Sequence, residues 1–194
     1  MSRRLTGTLG SHAVNIEADG FDKAVDEGRM FMVANQSGVT SQAGLSATTP
    51  VLTLANPAGN GRKGRLWFAS ATFSVAFATA GAVFLAAGTN TIAAVVTGTK
   101  TTAHRRTRLG GLDDQGNSIQ PFLAATLPAA PVAIDILGVG LTGAITTLPF
   151  GQSLERWYWG AIDIMPGTNL SIQTGVASGA SGMFCAYMWE EKDI

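Results

Sequence analysis

The stretch that most constrains the fold is residues 183–189, Met-Phe-Cys-Ala-Tyr-Met-Trp. Read as a strand, it is apolar on both faces, so both faces need cover, and such a strand lies inside a layered sheet. Two further strands precede it. Residues 161–165 form the first, and Pro166-Gly167 turns the chain, because proline presets the first turn angle and glycine supplies positive φ at the next position. Residues 168–174 form the second, with Leu170 and Ile172 on one face and Asn169, Ser171 and Gln173 on the other. That period of two predicts a half-buried strand. Residues 175–182 are a loop of small residues.

The rest of the chain reads in the same way. Strands are expected at residues 50–55, 66–78, 82–87, 131–139 and 141–148, with turn clusters at 56–61, 113–117 and 149–153. The strands at 66–78 and 82–87 are expected to pair as a hairpin across Thr79-Ala80-Gly81. Residues 92–97 fit either a short strand or an irregular piece. Pro121 demotes residues 118–127 from a central strand. Residues 154–159 hold Trp157, Tyr158 and Trp159, rings that can shape a core or a subunit seam. No amphipathic helix stands out; residues 22–28 allow a helical turn without an apolar stripe. Two packed sheets or a barrel satisfy this pattern, and no fixed-period repeat points to a solenoid or propeller.

Residues 1–46 differ from the remainder. They hold Arg3, Arg4, Glu17, Asp19, Asp22, Lys23, Asp26, Glu27 and Arg29, and short strands at 14–18 and 30–34. They read as an arm or edge segment that gains order on the main body or a neighbouring copy, or as a loosely ordered terminus. Residues 47–194 form the β domain.

Charged residues are only 13% of the chain, about half the usual share, and the formal net charge is zero. A neutral, charge-poor surface has no field to gather nucleic acid or acidic membranes and tends to self-associate. Residues 66–87 are apolar enough to pass a length test for a spanning helix, yet Ser70, Thr72, Ser74 and Thr79 alternate with apolar neighbours and glycines interrupt the run, so strands fit better. The first ten residues are basic without a following apolar segment, which is not the pattern of a secretory signal, and folding in the cytoplasm is expected.

Chemistry is sparse. Cys185, the single cysteine, falls in the apolar last strand and reads as a buried, inert thiol. His12 and His104 stand apart from other ligand-type residues, so no metal site is expected. Asp113-Asp114 lacks the further acids of a calcium loop. Ser153 lacks the glycine spacing of a nucleophile elbow. Gly59, Gly61 and Gly64 beside Arg62 and Lys63 match no phosphate-loop pattern. Glu190 and Glu191 point to opposite faces and read as a charged end that keeps an edge soluble. The basic loop with Lys100, His104, Arg105, Arg106 and Arg108 is the one dense cationic cluster; it reads as a solvent-facing loop or, of the functional options, as a protein contact rather than a nucleic-acid one, since no aromatic residues are interleaved. No cofactor and no catalytic role are expected.

The run Pro50-Val51-Leu52-Thr53-Leu54-Ala55-Asn56-Pro57-Ala58-Gly59-Asn60-Gly61, followed by Arg65-Leu66-Trp67, resembles a strand–turn–strand of phage and prophage virion proteins. Ile164-Met165-Pro166-Gly167-Thr168-Asn169-Leu170-Ser171-Ile172 resembles the late hairpin of viral and phage jelly rolls. The likeness covers about a quarter of the chain and consists of turn chemistry. It implies an all-β, two-sheet sandwich of jelly-roll type with an extended N-terminal arm. It further implies a capsid decoration (cement) protein of a tailed phage, made in the host cytoplasm and carried in the virion. Such a subunit is expected to be a homotrimer that binds major capsid or other virion proteins, with Arg3, Arg4, Arg105, Arg106 and Arg108 as contacts. A phage fibre or receptor-binding, lectin-like module is the alternative, with Trp157-Tyr158-Trp159 stacked on sugar rings. A β-barrel hydrolase would need Glu155, Asp163 and Glu190 to converge in a cleft.

Overall fold

The computed structural model describes residues 5–9, 12–16, 20–75, 77, 79–101, 105–106, 118–140, 153–177 and 182–194. In chain order these hold strands β1 (Leu5–Leu9) and β2 (His12–Ile16), helix α1 (Gly20–Asp26), β3 (Met30–Ala34), β4 (Leu52–Asn56), β5 (Arg62–Phe73) and β6 (Gly81–Thr89). There follow β7 (Thr97–Lys100), β8 (Arg105–Arg106), β9 (Gln120–Thr126), β10 (Val132–Gly140), β11 (Ser153–Ile164), β12 (Thr168–Thr174) and β13 (Met183–Asp193). Two antiparallel sheets pack face to face, giving an all-β sandwich. One has the order β11-β5-β13-β3-β8, the other β10-β6-β12-β4-β9-β7, and β1 and β2 form a separate hairpin. The strand expected at 141–148 lies outside the described residues.

Strand β13 is the middle of the five-stranded sheet, paired with β5 along eleven residues and with β3 along five. Its inward residues Met183, Cys185, Tyr187 and Trp189 enter the core against Leu52, Leu54, Leu85, Leu170 and Ile172 of the opposite sheet. Trp189 stacks on Phe31 at 5.7 Å. Its outward Met188 is covered by Phe21, Ala24 and Val25 of α1, together with Met30 and Trp67. The helix therefore has the apolar stripe that the sequence reading denied it: three positions at i, i+3 and i+4 suffice for a helix of two turns. Each fully buried large side chain here contributes about 1.5–3 kcal/mol.

The pairings are nested. Strand β3 pairs with β13, β4 with β12, β5 with β11 and β6 with β10. The ladder then closes on itself, β5 onto β13 and β6 onto β12. Chain neighbours among these eight lie in opposite sheets, apart from β6 and β10. The segment between them adds β7 and β9 beyond β4 and β8 beyond β3.

This arrangement corrects the expected hairpin of β5 with β6. Both strands carry one core face, Ala69, Ala71 and Phe73 on one and Val83 and Leu85 on the other, and they bury it from opposite sheets. The link between them crosses the sandwich, and Phe77 packs edge-on against Phe73 at 4.9 Å. Pro166-Gly167 is likewise a corner between sheets. Gly167 takes the positive φ expected of it, +81°, and its N–H donates to Asn56 O at 2.9 Å. The Asn56 amide, fully buried, donates to the carbonyls of Arg62 and Ile164, each at 2.8 Å. The two turns that carry the virion-protein resemblance are thus fastened to one side chain.

Strand β12 is buried on both faces, not one. On its polar face Gln173 exchanges hydrogen bonds with the backbone of Ser46, and at the end of the other face Thr174 bonds Ser41. Residues 92–97 hold no strand until Thr97, where β7 begins. Strand β9 lies one place in from the edge despite Pro121. The Pro121 carbonyl accepts from Thr101 N–H, so its nitrogen also faces that side, just past the end of short β7. No ladder donor is lost on the β4 side. Among the described residues no helix is long and apolar enough to cross a membrane.

The core predicts a pH dependence. Burial pushes the Cys185 thiol and the Tyr187 phenol well above their ordinary pKa values. The unfolded chain releases these protons above about pH 9–10, whereas the folded protein holds them. Stability is complete below the unfolded values and falls as pH rises toward the folded ones, by about 1.4 kcal/mol per pH unit for each group. The urea midpoint should therefore decline above about pH 9, and Cys185→Ala should remove part of the slope. A midpoint that stays flat would mean that both groups reach solvent.

Candidate functional site

The outer face of the five-stranded sheet carries a pile of aromatic rings, built by two facing bulges. Phe68 pairs with Trp157 and Leu66 with Ile162, so one residue of β5 stands opposite four of β11. On its other side β5 again has Trp67 as an extra residue between Met188 and Trp189 of β13. A bulge bends its strand and re-aims the side chains next to it. Trp159 has φ +53° and Gly160 φ +77°. Glycine adopts that region freely, but a tryptophan there is an outlier that costs about 1–3 kcal/mol.

The rings run from buried to exposed. Phe21 of α1 meets Trp67 at 5.2 Å, Trp67 meets Trp159 edge-on at 6.2 Å, Trp159 stacks on Trp157 at 5.0 Å and 24°, and Trp157 tilts against Phe68 at 4.9 Å. Trp157 is 45% exposed and Trp159 67%. Tyr158, between them in sequence, points elsewhere. Its hydroxyl donates to Asp135 Oδ2 of β10 at 2.7 Å, and burial, then that hydrogen bond, raise its pKa far above the ordinary value.

A charged row flanks the pile. Asp163, Arg65 and Glu190 are in register across β11, β5 and β13. Asp163 meets Lys63 Nζ at 2.6 Å and Arg65 Nε at 3.4 Å. Glu190 is paired with Arg29 and with Lys192, the latter at 3.4 Å. Burial opposes the Arg29 charge, but hydrogen bonds to Glu27 and Glu190 outweigh it and leave its pKa raised. Glu191, on the opposite face, accepts from the backbone N–H groups of Ser118 and Ile119 and from Trp189 Nε1. Glu190 and Glu191 are 1% and 3% exposed. They are not the solvated edge that the sequence suggested, because β13 is central and both its faces are covered. Of the three acids a hydrolase would bring together, Asp163 and Glu190 flank Arg65 with cation partners, and Glu155 accepts from Ser153 Oγ.

The second feature is the side of the sandwich where, among the described residues, β10 and β11 are the outermost strands of their sheets. Arg156 bridges them, with its guanidinium 3.7 Å from Asp135 and donating to Ile136 O at 3.1 Å. Val132, Ile134, Ile136 and Val139 of β10 are exposed, Val132 at 69% and Ile136 at 55%. A cavity of about 240 Å³ opens here, lined mainly by apolar residues including Ala87, Ile134, Ile162, Ile164 and Leu170.

Of the expected contact residues, Arg105 and Arg106 form β8, whose backbone pairs with Met32 and Phe31 at the far edge of the five-stranded sheet. Arg3, Arg4 and Arg108 lie outside the described residues, as do His104 and Asp113-Asp114. Arg62 pairs with Asp193 at 2.9 Å. Among the described residues no three His, Cys, Asp or Glu side chains are grouped to hold a metal ion. The sequence reading found the tryptophans but missed the β10 rim, whose signal was the alternation Val132, Ile134, Ile136 in a strand with few charges. Compared with known proteins, the chain matches no family model, no curated protein and no solved structure.

The strained, exposed Trp159 gives a direct test. Trp159→Gly removes ring stacking of about 0.5–1.5 kcal/mol and relieves about 1–3 kcal/mol of backbone strain. Urea unfolding should show stability unchanged or raised by about 1 kcal/mol. A loss beyond about 2 kcal/mol would make the ring a structural anchor.

Proposed function

We propose that this chain is a virion structural protein, a capsid decoration (cement) subunit of jelly-roll type that acts without catalysis. It works as a homotrimer and binds neighbouring shell proteins through its arm and loops. The strand order supports the fold reading: one long antiparallel ladder, β3–β6 against β10–β13, rolled so that its halves close into two sheets. Jelly rolls are built of eight such strands and recur in capsid and lectin domains.

The observation that carries the functional reading is the rim of β10 and β11. Among the described residues β10 and β11 are the outermost strands of their sheets and lie side by side, and β10 exposes four large aliphatic side chains. Sheet rims with apolar side chains and few charges are a template for another chain. Work by adhesion needs that kind of surface. An area of order 800 Å² per partner is enough for a stable, specific contact.

Light scattering coupled to gel filtration tests it. The mass should be three times the 20.0 kDa of one chain. Val132→Lys with Ile136→Lys, both at exposed positions, should reduce it to one chain with the circular dichroism of the sheets unchanged. A single-chain mass for the unaltered protein at all concentrations contradicts the reading.

A further inference from the structure

The Trp157–Trp159 pile lies on the outer face of the five-stranded sheet, and what it does is independent of the rim. We infer that it is a carbohydrate-binding platform, taking a hexopyranose ring of an equatorially substituted oligosaccharide on the free face of Trp159.

Three observations support this. The first is strain without burial. Trp159 is held at φ +53° by two opposed bulges, yet it stays 67% exposed, so packing does not account for its conformation. Strained residues cluster at binding and active sites, where a bulge can re-aim a side chain. The second is the chemistry beside the ring. Gly160 has no side chain, and a Cβ there would come within 3.5 Å of Arg65 Nε, so the Arg65 guanidinium lies against the bulge. Arg65 is ion-paired with Asp163, which also holds Lys63. A cationic donor thus lies beside the bulge, with a carboxylate and a second cation behind it in the same charged row. A hexopyranose with equatorial hydroxyls offers the complement: an apolar C–H face for the indole and a belt of hydroxyls that both donate and accept. The third is a fixed base to the pile. Trp67, nine-tenths buried, meets Trp159 edge-on and holds it from below.

Other occupants fit less well. A nucleic-acid strand needs a track of free cations along its phosphates, whereas Lys63 and Arg65 are both engaged by Asp163. A second protein copy needs a wide apolar field, and the charged row interrupts this one.

The test is the indole N–H region of a nitrogen-resolved NMR spectrum, where the four tryptophans report separately. Cellohexaose and chitohexaose are titrated to about 10 mM, a range that detects millimolar affinity. The Trp159 and Trp157 signals should move saturably with at least one sugar, while Trp189, fully buried in the core, stays fixed. Trp159→Ala should weaken binding by about tenfold or more, the scale of one lost stacking partner, with Trp189 unmoved as evidence of an intact fold. Asp163→Asn should weaken it as well. No saturable shift with either sugar overturns the inference, as does binding unchanged in Trp159→Ala. Signals of Trp157 and Trp159 that follow protein concentration and ignore sugar also overturn it and assign the rings to a contact between copies.

Discussion

The fold depends on the double burial of β13. One face of this strand supplies Tyr187 and Trp189 to the core between the sheets. The other supplies Met188 to a smaller apolar cluster under α1. Because neither face can be left open, the strand needs a neighbour on each side and a layer above and below. Strands β3 and β5 fill the flanks, and Asn35 closes the junction by bonding the backbone of Met183 and Cys185. The nested order of the remaining strands is one economical way to deliver that cover from a single chain.

The same demand places the irregularities. A central strand tolerates few defects, so the large register shift falls at β11, which is an edge. There the chain can hold an unfavourable backbone and a ring in solvent without unsettling the core. The other edge on that side, β10, carries two smaller shifts and the exposed aliphatics. Rigid middle and decorated edges are a division of labour that suits a protein acting by contact.

Much of this was legible in the sequence. Strand β12 occupies the residues read as a strand, 168–174, because its period of two is clean and Pro166-Gly167 fixes its start. The two-face apolarity of 183–189 located the sheet centre. What was not legible is pairing. Alternation in β5 and β6 says which side chains seek the core, not which sheet provides the neighbour, so Thr79-Ala80-Gly81 reads as a hairpin turn although the link crosses between sheets. The polar face of β12 looked solvent-facing because Ser46, which bonds Gln173, lies about 130 residues away in sequence. Glu190 and Glu191 looked solvated because carboxylates almost always are; their partners Arg29, Ser118 and Ile119 also come from distant segments. Of the candidate site, the tryptophans were visible as residues, but the bulge that exposes two and buries Trp67 was not.

Amide hydrogen exchange, measured at a dilute and at a concentrated protein concentration, tests most directly whether a sandwich fixed around β13 works through its open side. The amides of β13 should be the slowest in the molecule and indifferent to concentration, while those of β10 and of the outer edge of β11 should slow markedly as concentration rises. Exchange in β10 and β11 that is the same at both concentrations, or a β13 that exchanges as fast as the edges, would contradict it.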